Sequence, residues 1–436
     1  MEVWRIEGFA SSGNNASEHN VSDNVSSDHN VSDNVALDHI TSENNISSNN
    51  MKSNNMKSNN IKSNNIKSNL EGSIHTADQL RHALSEPAHR LRRGQVIAFP
   101  TETVYGLGAN AWDESAVQKV FQAKGRPSDN PLIVHIADLT QLEEVITDPG
   151  TIPGPAKRLM DAFWPGPLTI IFPAHEKLAA SVHPGMDTVG VRMPNHPVAL
   201  ALIAEAGCPV AAPSANSSGR PSPTVAETVL HDLADRIDGV VDGGPCQVGL
   251  ESTVIAVTET EGVVYRPGWI TPEELQAVSG VPFTLDPHLK GEGDKPKSPG
   301  MKYRHYAPDA RVWVWWGDKR DVREVIEATI ADHPELERVA LICPADFPDV
   351  DGLSARWSPD PNAPYENGLG HELYERLRWG DKIGADALFI VGVEPKGHGL
   401  ALMNRLQKAS EGRQFHATPS RQEPSKLPLP GHTRRR

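Results

Sequence analysis

A short apolar segment that ends at a proline constrains the fold of this chain more than any other feature. Residues 96–99 (Val-Ile-Ala-Phe) have the length and composition of a buried strand, and Pro100 ends it because proline has no backbone N–H to donate to a sheet. Polar side chains follow at once, at Thr101, Glu102, Thr103 and Tyr105. Gly106 and Gly108 are then expected to allow tight turns. Ligands of open α/β sheets bind at the carboxyl ends of strands, so this pattern predicts a binding site.

A helix that ends in two cations comes next. Asp113 is a good N-cap for a helix of about three turns, and Gly125 and Pro127 mark the end of that helix. Lys124 and Arg126 are therefore expected on an irregular loop, where their charges can bind an anion such as phosphate. The alternative is a pair of solvated cations that interact favourably with the helix dipole.

The same arrangement recurs further along the chain. Residues 210–213 (Val-Ala-Ala-Pro) again form a short apolar strand closed by a proline, and Ser214 and Asn216 follow it. Because these two residues are two positions apart, an extended backbone points both side chains to the same side, where they can join the cations around a phosphate. Taken alone, the Ser-x-Asn pattern is ordinary loop chemistry.

Two further polar side chains interrupt apolar strands. His135 lies within the predicted strand 132–136, where a lone histidine is usually a satisfied core residue. Arg192 lies at the end of the short strand predicted over 188–194, which a proline closes, and there it can form either a bidentate pair with a ligand carboxylate or an ordinary edge-strand salt bridge. These residues by themselves leave both interpretations open.

The ordered set of motifs resembles the YrdC/Sua5 family of threonylcarbamoyl-AMP synthases, over roughly residues 75–412. The motifs of the first part are PTETVYGLG (100–108), KGRP (124–127) followed by Asn130-Pro131-Leu132 and His135, PGPLT (165–169), VGVRMP (189–194), APSAN (212–216), GLESTV (249–254) and YRPG (265–268). SPGMKYRHYAP (298–308) and HGLALMNRLQKAS (398–410) resemble the linker and the extra domain of the longer, Sua5-type members. Any one of these motifs would be weak evidence, but their common order makes chance similarity improbable.

The resemblance implies a fold and a reaction. The fold is α/β, with a YrdC-like twisted catalytic domain and a smaller, Rossmann-like C-terminal domain. The reaction joins L-threonine, bicarbonate and ATP into threonylcarbamoyl-adenylate and pyrophosphate, with Mg²⁺ accompanying ATP. The product serves the N6-threonylcarbamoyladenosine modification of tRNA, so tRNA is expected as an indirect partner only, reached through downstream transferase proteins.

The resemblance also implies roles for particular residues. Lys124 and Arg126 are expected to carry catalysis by stabilising charge at phosphorus. The implied ATP contacts are Lys124, Arg126, Asn130, Thr188, Ser214, Asn216, Ser222, Arg266, Tyr303 and His305. The implied threonine contacts are Thr101, Thr103, His135, Arg192, Ala212 and Ser252. Thr101 and Thr103 lie on the same side of an extended segment, so the sequence does not tell which of them faces the substrate.

Composition divides the chain into five segments. Residues 1–72 are rich in Asn and Ser with repeats such as MKSNN, which predicts a disordered leader. The expected catalytic domain spans 73–281, and a linker rich in Pro, Gly and charge spans 282–310. The resemblance implies that this linker closes over the active site, whereas its composition equally allows a packing strip between domains. Alternating strand and helix patterns predict a mostly parallel α/β domain at 311–412, without a phosphate loop of its own. Residues 413–436 form a predicted disordered, basic tail.

Charge and cysteine content narrow the function classes. The formal net charge of −14 argues against a protein that coats nucleic acid, although a non-catalytic RNA-binding module using the same cationic cleft stays the main alternative. Three scattered cysteines exclude the zinc-binding cysteine pairs of carbamoyl transferases that contain a YrdC-like unit. They also fit a reducing compartment, and the sequence carries neither a membrane-spanning run nor a signal-peptide pattern, so a cytoplasmic protein is expected.

Overall fold

A computed structural model of the chain describes residues 1–6, 77–290 and 305–417. The predicted disorder of 7–72 and of 418–436 lies outside these residues, and so does the part of the linker from 291 to 304, which includes Tyr303.

The larger of two sheets in the described residues has eleven strands. These are β1 (Glu2–Arg5), β2 (Ile97–Phe99), β3 (Gly106–Asn110), β4 (Ile133–His135), β5 (Leu168–Pro173), β6 (Thr188–Arg192), β7 (Val210–Ala211), β8 (Gly239–Asp242), β9 (Thr253–Val257), β10 (Gly262–Arg266) and β11 (Phe283–Leu285). Their order across the sheet is β1-β8-β2-β3-β7-β4-β6-β5-β9-β10-β11, with both parallel and antiparallel pairs. Every internal strand therefore lies between two neighbours that cover its backbone groups.

Seven helices of the described residues belong to this first domain. They are α1 (Ala77–Arg92), α2 (Glu114–Lys124), α3 (Leu139–Val145), α4 (Gly154–Phe163), α5 (Pro197–Ala206), α6 (Ala226–Leu233) and α7 (Pro272–Ser279). The predicted caps of α2 are confirmed: the Asp113 carboxylate accepts hydrogen bonds from the amides of Ser115 and Ala116, and Gly125 ends the helix with a φ of 61°. Apolar residues on both faces of the sheet pack against these helices in two clusters.

The N-terminal strand corrects the prediction of a disordered leader at residues 1–6. β1 pairs in parallel with β8 and forms one edge of the large sheet. Ile6, only 8% exposed, packs in the same cluster as Leu84 and Val241, and Trp4 lies under the guanidinium of Arg90. The Asn- and Ser-rich segment therefore follows a folded strand instead of preceding the whole fold.

The turns expected at Gly106 and Gly108 are not found there, because both residues belong to β3. Both glycines lie inside this strand, which pairs with β2 and β7. A Cβ at Gly108 would come within 2.8 Å of the Phe99 ring and of the Val210 side chain. Glycine is therefore needed here for close packing between strands, and the turn lies earlier, at residues 101–105.

The second domain holds a five-stranded, fully parallel sheet. Its strands are β12 (Arg311–Trp316), β13 (Val339–Ile342), β14 (Ala355–Trp357), β15 (Ala387–Val391) and β16 (Gln414–His416), in the order β14-β13-β15-β12-β16. Its helices are α8 (Lys319–Asp332), α9 (Tyr365–Lys382) and α10 (His398–Ala409). The mostly parallel α/β prediction is confirmed.

The domain ends differ from the sequence-based boundaries. β11 and the 3₁₀ turn Pro287–Lys290 lie within the predicted linker, and β11 pairs with β10, so the first domain extends beyond residue 281. β16 lies within the predicted disordered tail and pairs with β12, so the second domain extends beyond residue 412. Both edge strands have only three residues, too few to show a strand period against the flanking Pro, Gly and charged residues.

Among the described residues, none of the helices combines the length and the apolar character needed to cross a membrane.

Candidate active site

A pocket forms where several strands of the large sheet end. β4 and β6 run in parallel with His135 directly opposite Arg192, so the two predicted side chains leave the sheet at the same edge. The pocket is lined by Thr101, Thr103, Val104, Gly106, Arg126, Pro131, Leu132, Ile133, His135, Arg192, Ala212, Pro213, Ser214, Asn216, Ser222, Glu251, Ser252, Arg266, His305 and Tyr306. Most of the predicted site residues thus converge on one cavity, although they come from distant parts of the chain.

Arg192 is buried at the pocket wall, only 3% exposed. Its Nη1 donates to Thr103 Oγ1 at 2.9 Å, and its Nη2 lies 2.7 Å from Glu102 Oε2. Arg192 therefore forms an internal ion pair and also lines the pocket. Its predicted pairing with a ligand carboxylate stays a prediction. Sequence reasoning gave Glu102 no role of its own, and its place directly before Thr103 was the available signal.

His135 also lies at the pocket, 4% exposed, with the edge of the Phe99 ring against it. Burial, together with the nearby charge of Arg192, lowers the pKa of His135 to about 3. Its Nδ1 atom is buried without a hydrogen-bond partner in the described residues. The imidazole is therefore neutral at physiological pH and has a ring nitrogen that a ligand can bind.

Two further arginines supply positive charge to the pocket. Arg126 follows the C-cap of α2, and its guanidinium donates to the backbone carbonyls of Asn130 and Pro131. Arg266, at the end of β10, donates to the carbonyl and the hydroxyl of Ser252. Burial lowers the pKa of both arginines, that of Arg126 to about 10, and both stay charged near neutral pH.

Lys124 does not line the pocket, in contrast to the prediction that its charge would be available to an anion. Its ammonium is buried and donates to the carbonyls of Ser214 and Asn216. Burial, with a smaller contribution from Arg126, lowers the pKa of Lys124 well below its usual range. Lys124 thus holds the 214–216 loop from behind, because as the last residue of α2 it continues the helix's buried face.

The predicted hydroxyl and amide side chains form short hydrogen bonds with one another. Thr101 Oγ1 donates to the Val104 carbonyl at 2.7 Å and lies 2.9 Å from Thr103 Oγ1. Ser214 donates to Asn216 Oδ1 at 2.6 Å. Thr101 and Thr103 both line the pocket, so the structure brings together the two threonines that the sequence could not distinguish. Ser252 is fully buried and lies 2.7 Å from Thr169 Oγ1.

Besides Lys124, two predicted ATP contacts of the described residues, Thr188 and Asn130, do not line the pocket. Thr188, at the start of β6, borders a smaller apolar cavity that shares residues 131–133 with the main pocket. Asn130 is buried beside Arg126, and its carbonyl accepts a hydrogen bond from that residue's Nε atom. Tyr303 lies outside the described residues.

The linker contributes His305 and Tyr306 to the pocket. Burial, followed by the charge of Arg126, lowers the pKa of His305 to about 3. The ring of Tyr306 stacks on Tyr374 of α9 with centroids 5.3 Å apart. The described end of the linker thus lines the pocket and contacts the C-terminal domain. Its closing role stays a prediction.

Glu251 is the pocket carboxylate that the sequence analysis missed. Glu251 is 6% exposed. The sequence motif GLESTV assigned a role to the next residue, Ser252, but none to Glu251. Burial alone would raise the pKa of Glu251, but Arg405 and Arg266 outweigh burial and lower it to about 2. An ionisable residue between buried apolar and hydroxyl residues was the signal that could have identified it.

The described residues contain no cluster of three or more acidic, histidine or cysteine side chains that could hold a metal ion. Glu251, which lines the pocket, and Glu102, which lies next to the lining residues Thr101 and Thr103, each form an ion pair with an arginine. The side chains present therefore do not fit a metal centre held by protein ligands alone.

The fold and this site define an α/β protein that buries cations, a neutral histidine and hydroxyl groups in one cavity for a small anionic ligand. A family model described as "Telomere recombination" matches residues 89–268, and one described as "Threonylcarbamoyl-AMP synthase, C-terminal domain" matches residues 270–411. Threonylcarbamoyl-AMP synthase of Bacillus subtilis is 47% identical over 331 residues, which cover 76% of this chain and 93% of that protein. Its counterpart from Pyrococcus abyssi is 46% identical over 73% of this chain and 92% of its own length.

A solved structure agrees with these relatives. The crystal structure of P. abyssi Sua5 complexed with L-threonine matches with a TM-score of 0.70 and 43% sequence identity, and the match covers 78% of this chain and 97% of that one. The chain belongs to the YrdC/Sua5 family of threonylcarbamoyl-AMP synthases.

Proposed function

We propose that this protein makes threonylcarbamoyl-adenylate and pyrophosphate from L-threonine, bicarbonate and ATP. The observation that carries the proposal is that one cavity is lined by enough cationic and polar side chains to serve two ligands. We assign a first group, with Arg192 and His135, to one ligand and a second group, with Arg126 and Arg266, to the other. A reaction between an amino acid and a nucleotide needs two such groups in one cavity.

The first group supports threonine as a ligand. Arg192 offers a forked guanidinium for a carboxylate, and neutral His135 and Thr103 offer hydrogen-bonding atoms for the amino and hydroxyl groups. P. abyssi Sua5, which resembles this chain over most of its length, has been crystallised with L-threonine.

The second group supports ATP. Arg126 and Arg266 bring fixed positive charge to the place where phosphates would lie, and Ser214, Ser222 and His305 surround them. Positive charge in a pocket shielded from water stabilises the charge that develops when an oxygen attacks phosphorus. Lys124 supports this end indirectly, through the 214–216 loop that it holds.

The proposed chemistry needs no nucleophile from the protein. The threonine amino group adds to bicarbonate carbon with loss of water, and an oxygen of the resulting carbamate attacks the α-phosphorus while the bond to pyrophosphate breaks. Burial raises the pKa of the Cys246 thiol, so this thiol is protonated and a poor nucleophile. The closed cavity protects the labile carbamate from water.

We propose that magnesium enters with ATP as part of the substrate. Mg²⁺ is usually held by phosphate oxygens, water and at most one or two carboxylates, and here Glu251 of the pocket lining and the nearby Glu102 are each paired with an arginine. tRNA is then an indirect partner, since the product must be passed to proteins that modify it. Three buried, unpaired cysteines support a reducing compartment such as the cytoplasm.

The burial of the cations disfavours an RNA-binding module. Arg192 and Arg266 are 3% and 6% exposed, whereas a nucleic-acid backbone is bound by cations that it can reach from outside.

The test is pyrophosphate release from ATP by the purified protein, with threonine and bicarbonate each left out in turn. Release that requires both substrates is expected. Release that does not depend on them would contradict the proposal, and strongly salt-dependent RNA binding without ATP turnover would favour the RNA-binding module.

A further inference from the structure

One arginine of the C-terminal domain reaches the wall of the pocket. Arg405 lies on α10, is fully buried, and occupies a position three or four residues from Leu402, Ala401 and Ala409 on the buried face of that helix. Its Nε atom donates to Glu251 Oε2 at 3.1 Å, and its Nη1 atom donates to the carbonyl of Pro267. A charge in the apolar face of a helix is costly unless it is paired, so this contact fixes where the residue can lie.

Glu251 connects that arginine to a pocket hydroxyl. Its Oε1 atom accepts a hydrogen bond from Ser222 at 2.6 Å, and Ser222 is 1% exposed. Its Oε2 atom accepts a second bond from the hydroxyl of Tyr374 on α9, at 2.7 Å. One carboxylate therefore joins a side chain of the pocket to two side chains of the C-terminal domain.

The same two residues of the C-terminal domain hold Tyr306. Tyr374 stacks on its ring, and the guanidinium carbon of Arg405 lies 6.0 Å from the ring centre. Tyr306 has a φ of 63°, a left-handed conformation that a residue with a large side chain adopts only when its surroundings hold it there. Packing against Arg405 and Tyr374 supplies these surroundings.

We propose that Arg405 is a positioning residue for the nucleotide end of the pocket. It acts through Glu251 on Ser222 and through Tyr306 on the linker that covers the pocket, and Tyr374 assists it. The C-terminal domain thereby sets the affinity for ATP although it contributes no lining residue of its own among those described. This inference rests on the proposed function.

The chain offers matched controls for both residues. Arg378 of α9 also forms a buried ion pair with the first domain, to Asp232 at 2.8 Å. It donates to the backbone carbonyl of Pro221 too, but among the described residues it bonds to no side chain of the pocket lining. Tyr365, on the same helix as Tyr374, donates its hydroxyl to the carbonyl of Val391 inside its own domain. Comparison with these controls separates positioning of the pocket from simple attachment of the domains.

The experiment measures the KM for ATP in pyrophosphate release and the Kd for ATP by calorimetry, well below the melting temperature of each variant. Arg405→Met should raise both constants about 10-fold or more, since it removes one charge-assisted contact, whereas Arg378→Met should change them less than about 3-fold. Tyr374→Phe, which keeps the ring, should raise them about 3-fold, and Tyr365→Phe should not.

Stability provides an independent readout. Arg405→Met leaves Glu251 buried without its cation, so adding Glu251→Gln should recover part of the melting temperature but not the affinity for ATP.

Equal effects of Arg405→Met and Arg378→Met on both constants would overturn the proposal, and so would unchanged constants in an active Arg405→Met variant. If the wild type binds ATP but makes no threonine-dependent pyrophosphate, the proposed reaction fails while the Kd comparison still decides the role of Arg405. If Arg405→Met does not fold, the Tyr374→Phe and Tyr365→Phe pair decides it.

Discussion

The two sheets of the molecule have short strands and helices packed against them, but they differ in what they bury. The strand ends of the large sheet carry buried Arg192, His135 and Arg266. All strands of the five-stranded sheet are parallel and end at the same edge. Its domain nevertheless has few buried polar side chains among the described residues, namely Thr329, Arg405 and Ser410. Of these, Arg405 faces the other domain.

The strand ends of a parallel sheet therefore do not form a ligand-binding site by themselves. The C-terminal sheet fills its faces with side chains such as Trp313 and Trp315, which pack on Phe389. The large sheet keeps charges next to its strand ends and pairs them with carboxylates, hydroxyls or backbone carbonyls. Burying charges costs free energy, and such a cost is expected at a functional site. The predictions below test that difference.

The largest effect is expected from Arg126→Ala. It should lower the turnover number for pyrophosphate release about 10²–10³-fold, because it removes a fixed charge from the site of phosphoryl chemistry. The matched control is Arg356→Ala in the C-terminal sheet, where a half-buried arginine likewise donates to a backbone carbonyl, that of Phe347. Steady-state kinetics gives the turnover number of both variants. Similar losses in the two variants would contradict the difference proposed between the two sheets.

A smaller effect is expected from Arg192→Lys. Lysine keeps a positive charge near Glu102 but loses the fork that can hold a carboxylate, so the KM for threonine should rise about 10–100-fold. The KM for ATP should stay within about 2-fold and serves as the internal control. A threonine KM that does not change would show that Arg192 only serves the internal ion pair.

The neutral histidine at the pocket predicts a pH dependence of stability. The pKa of His135 is lowered to about 3 from a usual value of 6.5, so the unfolded chain binds a proton first as the pH falls. Stability is therefore lost as the pH decreases from about 6.5 towards 3, by about 2 kcal/mol between pH 7.5 and 5. Urea unfolding at these two pH values should show a smaller difference in His135→Asn, and an unchanged difference would contradict the burial argument.

The smallest effects are expected at the sheet edges. Deleting residues 2–6 removes β1 and the buried Ile6, and ending the chain at Arg413 removes β16 with Ala417. Each deletion should lower the free energy of unfolding by about 1 kcal/mol and leave both substrate constants unchanged, because neither strand touches the pocket. Deleting the whole of 1–72 also removes β1 and should therefore lower the free energy of unfolding as well. A change in either KM would mean that an edge strand shapes the site.

The pair Lys124 and Arg126 shows how far residue patterns can go. Both were predicted to meet an anion, but Lys124 lies seven positions after Val117 and four after Val120, on the buried face of α2, whereas Arg126 follows the reversal at Gly125. If the buried face of α2 had been extended to position 124, the helical period would have placed Lys124 inside and left Arg126 beyond the end of the helix. Arg405 is a similar case, since it lies in the apolar face of α10.

The sequence alone was enough to predict the strand ends and the hydroxyl, histidine and arginine side chains that follow them, because hydrophobic runs and prolines are local signals. Which charges contact one another depends on the tertiary structure. The alignment of His135 with Arg192 depends on the register of β4 against β6. The contact of Glu251 with Arg405 joins residues 154 positions apart. Such pairings follow from the packing of whole sheets and domains, and no local pattern encodes them.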